Sequence, residues 1–299
     1  MRIRVRLNLT HTTVYSFARP VAFNPHRLVL RPRSSGDLQV LSCALDITPA
    51  AQLAWSTDVF GNHIATARFD SPAERLEVTS RLVVDETAAD WPVFPIAPSA
   101  QQYPFRHSLD EAIDLGALRA GDGDSSVAAW AKGFVAGPGT DTLSLLKDIN
   151  AGVGALVAYV PRAEEGTQPA GVTLRSRTGS CRDLVELHLT AVRSLGFGAR
   201  AVSGYLVDPH STGGADATHA WVEIYLPGAG WITFDPTNAK MGAAGLVKVA
   251  VARRSAQVLP IAGSYVGRPE DHLSLEVAVR SEGSFAPPPS LGPPPAVRL

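Results

Sequence analysis

The sequence is poor in cysteine, with only Cys43 and Cys181 among 299 residues. A small secreted scaffold held together by disulfides would use more of them. One bridge between the two cysteines stays open from the sequence alone. Neither cysteine belongs to a CxxC pair or to another metal-ligand spacing. The sequence therefore predicts no zinc site, no other metal and no cofactor.

Long hydrophobic runs and an excess of one charge are also missing. No stretch approaches the roughly 18 apolar residues that cross a bilayer, and the N-terminal residues lack the apolar core of a signal peptide. The formal net charge is −1, which gives no general attraction to nucleic acid or to an anionic membrane. We therefore expect a cytoplasmic protein with neither nucleic acid nor membrane as a partner.

Hydrophobic residues make up 45% of the chain and charged residues 18%, which is the balance of folded domains with real cores. Residues 1–88 favour an antiparallel β-domain, because apolar residues alternate with polar ones from Arg2 to Leu9 as in a half-buried strand. A turn is predicted at Asp58–Asn62, where Gly61 and Asn62 can take positive φ. Further strand-like runs are Leu38–Ile47, Ile64–Phe69 and Leu76–Val84.

The rest of the chain divides into three parts. Residues 89–108 are rich in proline, which removes backbone donors, and we interpret them as a connection. Residues 109–280 form a second domain with a C-terminal extension, and residues 281–299 are predicted to be a disordered proline-rich tail. The predicted helices are Leu109–Leu118, Val127–Val135, Thr142–Tyr159 and Cys181–Leu195, and the predicted strands are Ala199–Val207, His219–Leu226 and Trp231–Asp235.

Cys181 stands where a glycine-containing segment, Gly179-Ser-Cys-Arg-Asp183, meets the clearest predicted helix. The first turn of a helix has unpaired N–H groups and a partial positive charge, which favour thiolate over thiol. The same N–H groups can stabilise an oxyanion on an attacked carbonyl. A buried, inert cysteine is the commoner role of this residue type. Position alone leaves both interpretations open.

Two further polar residues supply the partners that a thiolate nucleophile needs. His219 lies on the predicted strand that includes Thr218-His-Ala-Trp-Val-Glu223, on the face opposite to Ala220, where it can exchange protons near neutral pH. Asp235 ends the next strand, and a hairpin would bring it near His219, where a carboxylate holds one imidazole tautomer. A structural histidine and a turn-capping aspartate are the plain alternatives. Together, the three residues assemble the nucleophile, base and orienter of covalent catalysis.

Three sequence blocks resemble those of the bacterial transglutaminase-like proteins, which belong to the papain-like superfamily. The blocks are Gly179-Ser-Cys-Arg-Asp183, Thr218-His-Ala-Trp-Val-Glu223 and Phe234-Asp-Pro-Thr-Asn238. Residues 1–84 resemble the β-rich N-terminal domain of these proteins, and Val247–Val279 resembles their C-terminal extension. The resemblance implies an α+β fold, in which an antiparallel β-domain precedes a papain-like core whose nucleophile starts a helix packed on an antiparallel sheet. It also implies a triad of Cys181, His219 and Asp235.

The reaction stays open within this superfamily, which includes transglutaminases, peptidases, amidases and acyltransferases. All of them proceed through a thioester acyl-enzyme, which water or an amine intercepts. The resemblance therefore implies a thiol-dependent amide or peptide hydrolase, or an acyl transferase, acting on a peptide or amide substrate. The alternative is a papain-like fold kept as a binding or assembly module without catalysis. Retention of all three polar positions argues against that alternative.

Some members place an aromatic or amide side chain before the cysteine to complete the oxyanion hole, and no tryptophan lies between Ala131 and Cys181. Tyr159 and Gln168 are the upstream candidates, with core packing and an exposed loop as their plainer roles. The segment 208–216 leads to the histidine strand and contains two adjacent glycines. A substrate-gating loop is the hypothesis for this segment, and a passive surface turn is the alternative.

Overall fold

The computed structural model describes residues 4–89, 92–121, 123–161, 166–207 and 217–285. Two bodies follow each other along the chain: a β-sandwich, and a core in which helices pack on a five-stranded sheet. Within the described ranges, no helix is long and apolar enough to cross a membrane. The mixed architecture confirms the predicted α+β class.

The sandwich begins with six strands, of which β1 is 19 residues long. Strand β1 pairs antiparallel with β6, which pairs with β3 on its other side, and β5 lies between β2 and β4 in the facing sheet. Apolar side chains from both sheets fill the space between them, as the alternating pattern predicts. The strands are β1 (Val5–Phe23), β2 (His26–Arg31), β3 (Leu38–Thr48), β4 (Ala51–Thr57), β5 (His63–Phe69) and β6 (Ala73–Glu86).

The core follows the proline-rich connection, which packs on it through Tyr103 and Phe105, both against Phe197. The predicted helices are confirmed, with ends shifted by a few residues, and one short helix was not predicted. The elements are β7 (Gln102–Tyr103), α1 (Leu109–Leu115), α2 (Ser125–Lys132), β8 (Thr140–Asp141), α3 (Thr142–Leu156), β9 (Ala158–Tyr159), α4 (Ala170–Ser176), β10 (Thr178–Gly179) and α5 (Cys181–Ser194).

The core sheet has five strands, in the order β14-β13-β12-β11-β15. Helix α5 packs on one face of it, because alternate residues such as Ala220 and Val222 join the same buried cluster as Leu184 and Leu187. Trp221 lies on the other face, in a cluster that includes Phe60 of the sandwich. The strands are β11 (Ala199–Leu206), β12 (Ala217–Leu226), β13 (Gly230–Asp235), β14 (Lys240–Met241) and β15 (Leu246–Ala252).

The C-terminal segment returns to the sandwich, which corrects the predicted domain boundary. Its strands are β16 (Ile261–Ala262), β17 (Tyr265–Val266) and β18 (His272–Phe285). Strand β16 pairs with β2, whereas β17 and β18 pair with β1. The predicted tail from residue 281 is therefore wrong for residues 281–285, which continue the ladder down to the pair Val5–Phe285. The boundary was missed because β1 is a distant partner that the local pattern does not reveal.

Polar contacts of Asn62 and His11 are among those that join the sandwich to the core. Asn62, in the predicted turn Asp58–Asn62, donates its Nδ2 to Val251 O (2.7 Å) and accepts from Val251 N (2.9 Å), as a paired strand residue would. Gly61 has φ 77°, as predicted for this turn. His11 lies buried with its Nδ1 3.1 Å from Tyr205 Oη and its Nε2 2.9 Å from Thr13 Oγ1.

Burial lowers the pKa of His11 to about 4, so the domain contact requires the neutral imidazole. The stability that neutral His11 contributes is fully present above its unfolded pKa of about 6.5. It is lost as the pH falls toward and through the folded pKa of about 4. We expect the free energy of unfolding to fall by about 2–3 kcal/mol between these pH values, relative to His11→Gln. Chemical denaturation across this pH range measures the effect, with the exposed His272→Gln as control. Parallel curves for the wild type and His11→Gln would contradict it.

Candidate active site

Cys181 occupies the first position of α5. The carboxylate of Asp183 holds the residues before it: Asp183 Oδ2 accepts from Ser180 N (2.8 Å) and Ser180 Oγ (2.9 Å), and Asp183 Oδ1 accepts from Gln168 N (2.7 Å). Burial would raise the pKa of Asp183, but these hydrogen bonds outweigh burial and lower it. Asp183 therefore stays ionised and holds the backbone that presents the thiol.

Tyr159, one of the two upstream candidates, lies beside the thiol. Strands β9 and β10 pair in parallel with Tyr159 opposite Gly179, and Val160 N donates to Gly179 O (2.9 Å). The pKa of Tyr159 is raised by burial and, in addition, by the negative charge of Cys181. The strand pairing thus brings Tyr159 next to the segment that leads into Cys181.

Gln168, the other upstream candidate, is committed to the local fold. Its Nε2 donates to Thr178 O (3.2 Å) and to Asp183 Oδ2 (3.4 Å). The side chain thus braces the strand before the nucleophile.

His219 and Asp235 meet as the predicted hairpin requires. His219 Nε2 lies 2.9 Å from Asp235 Oδ2, and both side chains are almost fully buried. Strands β12 and β13 pair with Val222 opposite Phe234, which brings Asp235 to the same side of the sheet as His219. Because Nε2 is bonded to the carboxylate, Nδ1 is the ring nitrogen that remains for the thiol.

The histidine is held as a cation by its two partners. Burial would lower the pKa of His219, but hydrogen bonds and charge interactions with Asp235 and Cys181 outweigh burial and raise it. The pKa of the Asp235 carboxyl shifts in the opposite direction. Burial would raise the pKa of Asp235, but His219 and Asn238 together lower it. The arrangement therefore favours an imidazolium on His219 beside the ionised carboxylate of Asp235.

Asp235 also caps the turn that follows it, as its plainer interpretation predicts. Its Oδ1 accepts from Thr237 N (3.0 Å) and Asn238 N (3.3 Å), and its Oδ2 accepts from Asn238 Nδ2 (2.7 Å) as well as His219. With one oxygen on the turn and one on the imidazole, the carboxylate cannot rotate without breaking several hydrogen bonds. The turn thereby fixes the direction from which the histidine is held.

Helix α3 holds the backbone of this turn, which the sequence did not indicate. Asn150 Nδ2 donates to Asp235 O (3.3 Å) and to Lys240 O (3.2 Å). One turn along the helix, a Cβ on Gly154 would lie only 2.6 Å from Pro236 O. The glycine that weakens the predicted helix is therefore what lets α3 approach the aspartate turn. A glycine within an amphipathic helix was the one available signal.

Glu223, on the histidine strand, serves a different part of the molecule. Its carboxylate pairs with Arg200 (2.6 Å) and Lys248 (2.7 Å) across three neighbouring strands. His188 is fully buried, and burial lowers its pKa to about 3 against the attraction of Asp235. It is a neutral core histidine at neutral pH.

Three further predictions concern a disulfide, a metal site and a loop. Both cysteines are free thiols, which removes the interpretation of a Cys43–Cys181 bridge. In the part of the chain that the structure describes, no three His, Cys, Asp or Glu side chains are grouped to hold a metal. The proposed gating loop at residues 208–216 lies outside the described residues, and its role stays a prediction.

A cysteine at the start of a buried helix, together with a histidine that is bonded to an aspartate on an antiparallel sheet, is the arrangement of a papain-like thiol protein. Sequence comparison agrees: residues 7–85 match the bacterial transglutaminase-like N-terminal region, and residues 128–236 match the transglutaminase-like superfamily. The chain belongs to the transglutaminase-like superfamily, in the form that carries the bacterial N-terminal region. This membership supports a thiol-dependent hydrolase or acyltransferase at the level of class.

The relatives extend over almost the whole chain. An uncharacterized protein of Mycobacterium tuberculosis is 28% identical over 294 residues, which cover 92% of this chain and 91% of that protein. An uncharacterized protein of Mycobacterium leprae is 26% identical and covers 92% and 98%. The crystal structure of a candidate cysteine protease from Cytophaga hutchinsonii superposes with a TM-score of 0.71 at 19% identity, over 95% of this chain and 93% of that chain. That structure shares the fold of both bodies.

Because α3 lies so close to the turn after Asp235, we expect Gly154→Ala to lower stability, although Gly→Ala in a helix usually raises it. At a solvent-exposed helix position, Gly→Ala stabilises the helix by about 1 kcal/mol. At Gly154 the added methyl group would instead press against Pro236 O. We expect it to destabilise by about 1–3 kcal/mol and to slow alkylation of Cys181, because Asp235 is displaced. Urea unfolding and thiol alkylation measure both effects. Ala151→Gly, at an exposed position of the same helix, reports helix propensity alone, and a stabilised Gly154→Ala would contradict the account.

Proposed function

We propose that this protein cleaves amide or peptide bonds through a thioester acyl-enzyme on Cys181, with His219 as general base and acid and Asp235 as orienter. One observation carries the proposal. The buried imidazole of His219 is bonded to Asp235 and interacts with Cys181 at the same time, so a proton can pass between thiol and imidazole without solvent.

The first half-reaction starts from the state in which His219 holds the proton of the Cys181 thiol. The thiolate then attacks the amide carbonyl carbon, a C–S bond forms, and the carbonyl electrons move onto oxygen. Collapse of this tetrahedral intermediate breaks the C–N bond as the imidazolium of His219 gives its proton to the leaving amine. The acyl group is left on sulfur as a thioester.

The second half-reaction reverses these roles. His219 takes a proton from the incoming acceptor, which attacks the thioester carbon and displaces the Cys181 thiolate. Water as acceptor gives a carboxylic acid, and an amine gives a new amide. We favour hydrolysis, because water is always present and no acceptor site is visible in the described residues.

Two features support stabilisation of the oxyanion. First-turn N–H groups of a helix lack partners one turn earlier in the chain, and those of Cys181 and Arg182 lie at the end of α5 where the thiol is. Tyr159 lies within range of the Cys181 charge, and its hydroxyl is the side-chain donor that we propose for the same oxygen. Gln168 is not proposed, because its amide is bonded to Thr178 and Asp183.

The proposal predicts selective alkylation. At neutral pH, iodoacetamide should label Cys181 at least about tenfold faster than Cys43, because burial raises the pKa of the Cys43 thiol and its thiolate is scarce. In His219→Gln the rate at Cys181 should fall at least about tenfold, and the loss should shrink as the pH rises and ionises the thiol without help. Cys43→Ala is the control for site assignment. Equal labelling of both cysteines in the wild type would contradict the proposal.

Turnover tests the orienting role of Asp235. Asp235→Asn keeps the shape of the side chain but loses the charge that holds the imidazole and stabilises its cation. We expect the rate of amide cleavage to fall at least about a hundredfold, and Cys181→Ala to abolish it. A panel of peptide and amide donors, with and without added amine, measures acid and amide products. Full activity in Cys181→Ala would contradict the proposal, whereas a wild type that turns over no donor in the panel would favour the binding or assembly module.

A further inference from the structure

Strand β18 forms an exposed edge of the sandwich. It pairs with β1 along one side, from Val5–Phe285 to Phe17–His272, and no described strand lies along its other side. The strand contains neither lysine nor proline, two of the residues that usually protect such an edge. An edge of this length is a template for pairing with another chain.

The side chains of this edge are apolar on one face. Leu275 and Val277 are 46% and 51% exposed and lie two residues apart in the regular ladder, so they point to the same side of the sheet. Leu273, which is 63% exposed, lies at the irregularity next to them. A row of large apolar side chains left in water at a sheet edge marks an interaction surface. The face on the other side carries Glu276 and Arg280, both exposed and without a described ion-pair partner.

The sequence of β18 is complementary to itself about Ala278. If two copies pair antiparallel with Ala278 opposite Ala278, then Val277 of each lies opposite Val279 of the other on the apolar face. On the other face, Glu276 of each copy lies opposite Arg280 of the other. Opposite charges and β-branched pairs directly across strands stabilise pairing, and like charges destabilise it. This register matches both faces at the centre of the strand, while Leu275 lies opposite Ser281 further out.

We propose that two copies of this chain associate through antiparallel pairing of their β18 strands, centred on Ala278, which joins their sandwich sheets across a two-fold axis. The isologous contact closes on itself and gives a dimer. Strand β4, another exposed edge, shows Trp55 and Leu53 to solvent but carries no charged residue to set a register. Residues 286–299 are a poor occupant of the β18 edge, because their six prolines cannot donate to a ladder.

Charge reversal tests the register directly. The full chain is examined by sedimentation over a concentration series as wild type, Glu276→Arg, Arg280→Glu and the double swap Glu276→Arg/Arg280→Glu. We expect the wild type to dimerise and each single variant to raise the dimer Kd at least about tenfold. The double swap should restore the dimer, since each Arg again faces a Glu. Glu74→Lys, at an exposed position elsewhere in the sandwich, is the control for charge alone.

Mixing gives the decisive comparison. Glu276→Arg presents two arginines and Arg280→Glu presents two glutamates, so an equimolar mixture of these variants should form a heterodimer although neither forms a homodimer. Alkylation of Cys181 should be unchanged in both, which shows that they are folded. A wild type that is monomeric at every concentration would overturn the proposal. A dimer that both single variants leave intact would also overturn it and place the contact elsewhere.

Discussion

The buried hydrogen bond between His219 and Asp235 is the interaction on which the site depends. Two ionisable side chains are taken out of water at the end of a hairpin, which is costly unless each keeps a partner. The carboxylate meets this requirement with four donors, from His219, Thr237 and Asn238. The imidazole meets it with Asp235 on one nitrogen and faces Cys181 with the other. Removing any member leaves a buried charge without its partner.

The rest of the core serves to bring these groups together. Asp183 and Gln168 fix the approach to the nucleophile, and Asn150 and Gly154 fix the turn that carries the carboxylate. The sandwich contacts the core sheet through Asn62, which bonds to Val251, and His11, which bonds to Tyr205. The last described strand of the sandwich, β18, returns along the chain to pair with the first strand, β1. The two bodies are therefore held by chain topology as well as by contacts.

Local sequence patterns predicted the strands and helices better than they predicted the contacts between distant residues. Alternation predicted β3, β5 and β6, and an apolar stripe predicted α5 with Cys181 at its start. The fully buried β2 and the exposed β4 do not alternate clearly, and α4 is too short to show a period. The return of β18 to β1 depends on residues 255 to 280 positions apart, which no local rule connects. In the site, the hairpin was enough to predict that His219 and Asp235 meet, whereas the contribution of Asn150 came from a separate helix.

The central claim is that Cys181 carries an acyl group during turnover. Mixing the protein with an activated amide donor, quenching with acid within milliseconds to seconds and mapping the peptides by mass spectrometry tests it most directly. The account predicts an added acyl mass on the peptide that contains Cys181, which hydroxylamine removes. Consumption of the donor with no acyl mass on that peptide, or with the mass on Cys43, would contradict it.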